Sequence, residues 1–265
     1  MPSPSHHTQD LRIPSLHGRL FTRIWSPDHL SPSFDEVPIV LFHDSLGCVE
    51  LWREFPAKLA AITGKAVVAY DRLGFGRSDP HPGLLSFGFV GDEAEHDFPA
   101  VKDALGIGEF IAFGHSVGGG MATHCAARHR QHCQALITES AQAFVEDRTL
   151  AGIREAKRGF QQDGQLERLA KYHGDKARWV LEAWTETWLS PAFADWSLAA
   201  GIERLDCPVL AMHGDLDEFG SALHPQRIAQ LTDGPSRVLL IGECGHVPHR
   251  EKADVVLQAV AELLR

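Results

Sequence analysis

Short apolar segments bounded by Gly, Pro and Asp alternate with stretches of helical character along most of this chain of 265 residues. Apolar runs of this kind are typical of strands buried on both faces, and the helices between them supply the crossovers that parallel strands need. The pattern predicts an α/β fold with a mostly parallel central sheet flanked by helices. Strands are expected at residues 20–25, 37–42, 66–70, 110–113, 135–138, 209–212 and 238–241. Helices are expected at residues 51–62, 92–105, 118–128, 225–231 and 252–264.

Residues 141–201 break this alternation, because they have helical composition and contain no good strand. We interpret them as a helical cap inserted into a core formed by residues 1–140 and 202–265. Within the cap, Leu181, Trp184 and Trp188 share one helical face. This face either packs the cap onto the core or forms a wall of a substrate pocket. Residues 1–10 and 26–36 are polar or rich in proline, and we expect a tail and a surface loop there.

Composition restricts the partners of the chain. Lys and Arg total 25 against 35 Asp and Glu, and the net charge of -10 disfavours nucleic acid and anionic lipid surfaces. No apolar run approaches the roughly 20 residues of a membrane span, and the first residues lack the order of a secretory signal. We therefore expect a cytoplasmic protein with no nucleic-acid partner and no membrane contact, of unknown oligomeric state. Five cysteines without a C-x-x-C pattern indicate reduced, buried thiols.

The most informative segment is a predicted strand followed by Gly-His-Ser-Val-Gly at residues 114–118 and a helix that begins with small residues. A serine on a sharp strand-to-helix turn needs glycine neighbours, because Cβ atoms at positions 114 and 118 would collide with a strained backbone. The helix that begins there also directs backbone N–H groups at a nearby oxyanion. This pattern predicts Ser116 as a nucleophile.

A serine hydroxyl needs a histidine base, and that histidine needs a carboxylate to orient it. Asp217 and His246 each follow a predicted strand, and the loops after parallel strands open on the same edge of a sheet. We therefore expect Ser116, Asp217 and His246 to converge as catalytic residues. Alternatives remain for the acid and for the base: Asp215, Glu139 and His249.

With the order Ser, acid, His, the chain resembles the α/β-hydrolase-fold serine hydrolases over nearly its whole length. Residues 42–47, Phe-His-Asp-Ser-Leu-Gly, lie where the family has His-Gly-x-x-Gly, and residues 71–78 match its D-x-x-G-x-G-x-S element. The resemblance implies an oxyanion hole formed by the backbone N–H groups of Ser45 and Val117. Asp44 departs from the family pattern, which has glycine there. A carboxylate beside a developing oxyanion is unfavourable unless it points away or is paired.

The resemblance implies a hydrolase, and we expect it to cleave a carboxylic ester of a small molecule through an acyl-enzyme. The four tryptophans of the cap favour an apolar acyl or aromatic group. Trp184, Trp188 and His43 are expected to line the substrate pocket, and His43 and His115 to form hydrogen bonds beneath the site. Carbon–carbon bond hydrolase, thioesterase and prolyl aminopeptidase activities are alternatives on the same fold. A non-enzymatic binding module is a further alternative, disfavoured by the intact Ser, Asp and His.

No cofactor is expected. The glycine-rich segments at 74–76 and 118–120 lack the third glycine of a dinucleotide motif, and no G-K-[ST] sequence is present. The His and Cys residues between 124 and 133 are of zinc-ligand type, but they fall on or just after the helix behind the nucleophile. We therefore predict no metal site.

Overall fold

A computed structural model describes residues 6–27, 34, 36–199 and 205–265. The strands in these ranges are β1 (His6–Ser15), β2 (Gly18–Pro27), β3 (Ile39–Phe42), β4 (Val67–Tyr70), β5 (Phe110–His115), β6 (Cys133–Glu139), β7 (Val209–Gly214) and β8 (Ser236–Ile241). They form one sheet in the order β1-β2-β4-β3-β5-β6-β7-β8. β2 pairs antiparallel with β1 and β4, and the other pairs are parallel. The predicted α/β class is confirmed.

Helices cover both faces of this sheet. They are α1 (Phe55–Thr63), α2 (Phe89–Asp92), α3 (Asp97–Leu105), α4 (Val117–Arg128), α5 (Asp147–Gly159), α6 (Gln165–His173), α7 (Ala177–Trp188), α8 (Leu223–Ala229), α9 (Pro248–Glu251) and α10 (Ala253–Leu263). Short 3₁₀ turns occupy Val49–Trp52, Gly174–Lys176 and Pro191–Phe193. The buried side chains of α1 and α10 belong to the core on one face, and those of α3, α4 and α8 belong to the core on the other.

The central strand β3 shows why the sheet is covered on both sides. Val40 and Phe42 belong to one core, whereas Ile39 and Leu41 belong to the other, since successive side chains of a strand point to opposite faces. All four residues are at most 2% exposed. Burying an aliphatic or aromatic side chain of this size stabilises the fold by about 1.5–3 kcal/mol, so the apolar runs fix the strands that carry the site.

The predicted N-terminal tail is wrong for residues 6–10, because they form the first half of β1 and pair with the end of β2. β1 is an edge strand whose N-terminal half is held by backbone pairing and by an ion pair between Asp10 Oδ1 and Arg23 Nε at 2.6 Å. Ile13 is its buried apolar residue. Residues 1–5, and residues 28–33 and 35 of the predicted loop, lie outside the described ranges.

Two predicted helices are divided in the structure. The segment predicted as one helix over 92–105 starts on the last residue of α2, is interrupted at residues 93–96, and is helical again as α3. The segment predicted over 51–62 begins with the 3₁₀ turn at Val49–Trp52, and α1 starts afresh at Phe55. Pro56 stands in the first turn of α1, where its missing N–H would have no helical partner in any case.

The segment between β6 and β7 contains α5, α6 and α7 and no long strand among its described residues. An antiparallel bridge between Phe144 and Ser197 joins its two ends. His173 connects it to two loops of the sheet: its Nδ1 accepts the Gly76 N–H at 2.8 Å, and its Nε2 donates to the Leu46 carbonyl at 3.0 Å. The predicted C-terminal limit at residue 201 lies outside the described residues.

The five cysteines are buried and carry no disulfide, as expected. Across the described ranges, no helix has both the length and the apolar character that a bilayer crossing requires.

Candidate active site

Ser116 lies at a sharp turn between β5 and α4. Its backbone adopts φ 55° and ψ -127°, a left-handed conformation that is strained for a residue with a side chain. A Cβ on Gly114 would overlap the carbonyl of Gly118, and a Cβ on Gly118 would overlap the carbonyl of Phe42. Both glycines are therefore required by close backbone approach, as the sequence pattern predicts.

The structure brings the three predicted residues together at the carboxyl ends of the parallel strands. Ser116 Oγ lies 3.1 Å from Nε2 of His246, and Nδ1 of the same imidazole lies 2.9 Å from each carboxylate oxygen of Asp217. Asp217 follows β7, and His246 follows β8. With the Nδ1 hydrogen donated to Asp217, Nε2 presents its lone pair to the serine hydroxyl.

Asp217 is held as a carboxylate. Burial acts to raise its pKa, but the hydrogen bond and the charge interaction with His246, together with the Phe219 N–H that donates to Oδ1 at 2.7 Å, bring the pKa below its ordinary value. The side chain of Asp217 is fully buried, whereas that of His246 is 13% exposed. An ionised, buried carboxylate fixes both the tautomer and the direction of the imidazole.

The alternative residues occupy other positions. Asp215 Oδ1 accepts the backbone N–H of Cys244 at 3.3 Å. Glu139 and His249 form a hydrogen bond with each other, through Oε1 and Nδ1, and both are buried. Glu139 and the alternative base His249 are therefore paired with each other behind Ser116. The backbone N–H of Ser116 donates to the Glu139 carbonyl at 2.9 Å.

Asp44, the residue that departs from the family pattern, is paired through both carboxylate oxygens. Oδ1 accepts the Leu46 N–H at 2.9 Å, and Oδ2 lies 3.2 Å from Nδ1 of His115. Burial acts to lower the pKa of His115, but Asp44 and the negative charge of Glu139 outweigh it and raise this pKa to about 9. Although burial opposes ionisation of Asp44 as well, His115 holds its pKa well below the usual range. The two side chains form an ion pair in which His115 is buried and Asp44 is 28% exposed at the wall of the cavity beside Ser116.

Two backbone N–H groups are available beside the serine. No hydrogen bond within the described part of the chain uses the N–H of Ser45 or of Val117. Val117 is the first residue of α4, and Ser45 follows Asp44 in the loop after β3. Free N–H groups at a helix N-terminus and in a neighbouring loop are the donors that an oxyanion hole needs.

A cavity of about 150 Å³ opens beside Ser116. Trp184 and Trp188 line this cavity, whereas His43 is not among its lining residues. His43 lies behind the site, where Nε2 accepts the Arg72 backbone N–H at 3.1 Å and Nδ1 lies 2.8 Å from the Asp44 carbonyl. The complete lining is Asp44, Ser45, Leu46, Ser116, Gln142, Thr149, Ile153, Trp184, Trp188, Phe219 and His246.

Sequence reasoning missed Gln142 and Phe219. Gln142 comes three residues after the end of β6, and Phe219 comes two residues after Asp217. Residues that directly follow parallel strands gather at the edge that holds the ligand. That rule was sufficient to select Gln142 as a candidate, although it does not specify its contacts.

One group of side chains in the described residues has the composition of a metal site. The ligand atoms of His115, Glu139 and His249 lie within 4.8 Å of one another. However, His115 uses Nδ1 for Asp44, and its Nε2 lies 2.8 Å from the carbonyl of His246. An imidazolium that donates through both nitrogens has no lone pair for a metal. The arrangement fits a hydrogen-bond network that carries a proton better than it fits a cation.

The fold is that of an α/β hydrolase, and the comparison with known families agrees. The sequence pattern of the alpha/beta hydrolase fold family matches residues 37–174, about half of the chain. The chain therefore belongs to the α/β hydrolase fold family.

Among characterised relatives, the human 1-acylglycerol-3-phosphate O-acyltransferase ABHD5 is 30% identical over 133 residues, which cover 49% of this chain and 36% of that protein. A non-heme haloperoxidase of Rhodococcus erythropolis is 28% identical over 185 residues, covering 59% of this chain and 66% of the relative. The matched region thus spans about a third of the length of the acyltransferase.

Solved structures resemble the whole chain. The 2-hydroxy-6-oxo-6-phenylhexa-2,4-dienoate hydrolase of Rhodococcus sp. strain RHA1 superposes with a TM-score of 0.77 at 18% identity, covering 98% of this chain and 100% of the other. A thermophilic esterase from Thermogutta terrifontis gives 0.71 at 20% identity, covering 97% and 98%. At these identities the likeness concerns the fold.

Proposed function

We propose that the protein is a serine hydrolase that cleaves carboxylic esters of small molecules through an acyl-enzyme. The observation that carries the proposal is the continuous hydrogen-bonded chain from Ser116 through His246 to Asp217. A serine, a neutral imidazole and a buried carboxylate in this order activate the hydroxyl for attack on an acyl carbon.

In the first half-reaction, Ser116 Oγ forms a bond to the acyl carbon while His246 Nε2 takes the hydroxyl proton. The carbonyl oxygen becomes an oxyanion, and the N–H groups of Ser45 and Val117 are placed to donate to it. The bond to the leaving alcohol then breaks, and His246 returns the proton to the alcohol oxygen. Asp217 stabilises the imidazolium between these two transfers.

In the second half-reaction, a water molecule gives a proton to His246 Nε2 and attacks the acyl carbon. The bond from that carbon to Ser116 Oγ breaks, and the proton passes from His246 to the serine oxygen. The products are the carboxylic acid and the free enzyme, and no cofactor enters either step.

We further propose that α5 and α7 act as a cap that shapes the acyl pocket. Thr149 and Ile153 of α5 and Trp184 and Trp188 of α7 line the same cavity as Ser116. A protein cavity of about 150 Å³ can hold a molecule of the size of benzene, so this one suits a short acyl group. Its aromatic walls favour an apolar acyl chain.

The test combines covalent labelling with substrate turnover. A fluorophosphonate should modify Ser116 in the wild type, and peptide mass spectrometry should locate the adduct there. On p-nitrophenyl esters of increasing chain length, with a carbon–carbon cleavage substrate and a thioester assayed in parallel, we expect the highest kcat/KM for short esters. Ser116→Ala should lower kcat by about 10⁴-fold or more while the circular dichroism spectrum is kept. Turnover near wild type in Ser116→Ala, or no labelling of the wild type, refutes the proposal.

A further inference from the structure

Gln142 places a buried amide directly beside the nucleophile. Its side chain lines the cavity, and the residue is 3% exposed. Oε1 lies 3.4 Å from Ser116 Oγ, a long distance for a hydrogen bond from a hydroxyl. Nε2 donates to the Ser140 carbonyl at 3.3 Å. The amide therefore connects the end of β6 with the reacting oxygen.

The direction of the amide follows from its partner. The Ser140 carbonyl can only accept a hydrogen bond, so the NH₂ group must face it and the amide oxygen must face Ser116. Ser140 itself has φ 49°, and its N–H donates to the Met212 carbonyl at 2.9 Å. A strained backbone held by the neighbouring strand thus presents the acceptor that orients Gln142.

The amide oxygen of Gln142 has no hydrogen-bond donor that is available throughout the reaction. Ser116 has one hydroxyl hydrogen, and catalysis requires it to point at His246 Nε2, 3.1 Å away. Formation of an acyl-enzyme removes this hydrogen altogether. Among the hydrogen bonds of the described residues, the Ser116 hydroxyl is the donor to Gln142 Oε1. When a purely apolar acyl group fills the cavity, Oε1 is left without a hydrogen-bond donor, and this acyl-enzyme is penalised.

The other carboxylate or amide oxygens that line the pocket belong to Asp44, and they are engaged by the Leu46 N–H and by His115. Ile153, Trp184, Trp188 and Phe219 are apolar or aromatic walls. Thr149 donates its hydroxyl hydrogen to the Phe219 carbonyl at 2.6 Å. A donor on the acyl group would therefore find its partner at Gln142, next to the scissile bond.

We propose that Gln142 is a specificity-determining residue that selects acyl groups with a hydrogen-bond donor, such as a hydroxyl, on the carbon next to the carbonyl. The inference rests on the acyl-enzyme function proposed above and narrows it to short 2-hydroxyacyl esters. The donor gives Gln142 Oε1 the partner that acylation of Ser116 removes. No step of bond making or breaking is assigned to Gln142.

The experiment compares p-nitrophenyl 2-hydroxybutanoate with p-nitrophenyl butanoate. The ratio of their kcat/KM values is divided by the ratio of their hydroxide-catalysed rates, which corrects for intrinsic reactivity. We expect a corrected ratio of about 10 or more in the wild type. Gln142→Met, which keeps the length of the side chain and removes both polar atoms, should bring it to about 1. Gln134→Met makes the same replacement at an exposed glutamine of β6 that donates to Glu109 and does not line the cavity, and it should keep the wild-type ratio.

A corrected ratio near 1 in the wild type, or a ratio that Gln142→Met leaves unchanged, overturns the inference. An equal loss on both esters in Gln142→Met also overturns it, since that result would assign Gln142 to the attacking water. Fluorophosphonate labelling and turnover of p-nitrophenyl acetate are measured on the same preparations. If labelling and acetate turnover are both observed while the corrected ratio of kcat/KM values is near 1, only the specificity role of Gln142 is refuted. If both fail, the hydrolase proposal falls and the specificity role falls with it.

Discussion

Asp44 and His115 form an ion pair that joins the loops around Ser116. Asp44 Oδ2 lies 3.2 Å from His115 Nδ1, and His115 Nε2 lies 2.8 Å from the carbonyl oxygen of His246. One imidazolium thus connects the loop after β3, the serine turn and the loop that carries the general-base candidate. The carboxylate that stands where the family has glycine is neutralised by the residue directly before Ser116.

Asp44→Asn should destabilise the protein, because it leaves the buried His115 without its counter-charge. Removal of the counter-charge leaves an uncompensated charge or a displaced proton on the buried imidazole, and since Asp44 is itself 28% exposed we expect a loss of about 1–3 kcal/mol in the free energy of unfolding. Urea denaturation at pH 7 measures it. Asp103→Asn, at a carboxylate that is 81% exposed, is the control and should change stability by less than about 0.5 kcal/mol. Equal stability of the two variants would contradict the stabilising ion pair between Asp44 and His115.

The pKa of about 9 for His115 predicts how stability depends on pH. This value is raised above the ordinary value of 6.5, so the folded state keeps a proton that the unfolded state loses. The contribution is complete below pH 6.5 and disappears as the pH rises through 9. Between pH 6.5 and 10, the wild type should lose up to about 3 kcal/mol of stability relative to His115→Gln. Denaturation curves across this range measure the difference, and parallel curves would count against a charged His115.

Asp217→Asn should lower kcat by roughly 10³–10⁴-fold with little loss of structure. An asparagine amide offers His246 Nδ1 a donor or a weaker acceptor, so the tautomer that presents Nε2 to Ser116 is no longer enforced. Initial rates on p-nitrophenyl acetate measure the effect. Asp215→Asn is the matched control, because Asp215 accepts a backbone N–H and contacts no imidazole, and its loss should be within a few-fold. A larger loss of kcat in Asp215→Asn than in Asp217→Asn would assign the role of orienting His246 to Asp215.

Trp184→Ala should widen the acyl pocket. Trp184 packs edge-on against Phe219, with ring centroids 5.9 Å apart, and both rings line the cavity. We expect the chain length of best kcat/KM to move upward by at least two carbons on the p-nitrophenyl ester series. Trp179→Ala is the control on the same helix, since Trp179 stacks on His81 and does not line this cavity. An unchanged chain-length profile in Trp184→Ala would argue that the acyl group lies elsewhere.

The local patterns of the sequence predicted what short-range physics controls. Close backbone approach requires glycine at positions 114 and 118, and burial on both faces requires apolar strands. Asp217 and His246 directly follow such strands, so these features can be recognised from residue type and order alone. The choice of Asp217 over Asp215 rested on resemblance, and the structure adds the contact to His246 that spacing alone does not specify.

Features that depend on pairing between distant segments were missed. The first half of β1 has few apolar residues, and it is a strand because β2 offers it a hydrogen-bonded edge. Gln142 carries no motif, and its position beside Ser116 depends on the strained Ser140 and on β7. His43 was expected both to line the pocket and to form hydrogen bonds beneath the site, and its ring lies behind the site with Arg72 as its partner.

His173 holds the segment of α5, α6 and α7 to two loops of the sheet through an imidazole that must stay neutral. Its Nδ1 accepts a hydrogen from Gly76 while its Nε2 donates to Leu46, and burial lowers its pKa below the ordinary value. Acidification past that pKa would add a hydrogen to Nδ1 and set two N–H groups against each other, while the bond to Leu46 survives. The hydrogen bond to Gly76 would then break before the hydrogen bond to Leu46. The segment that carries α5, α6 and α7 would therefore loosen first next to residue 76.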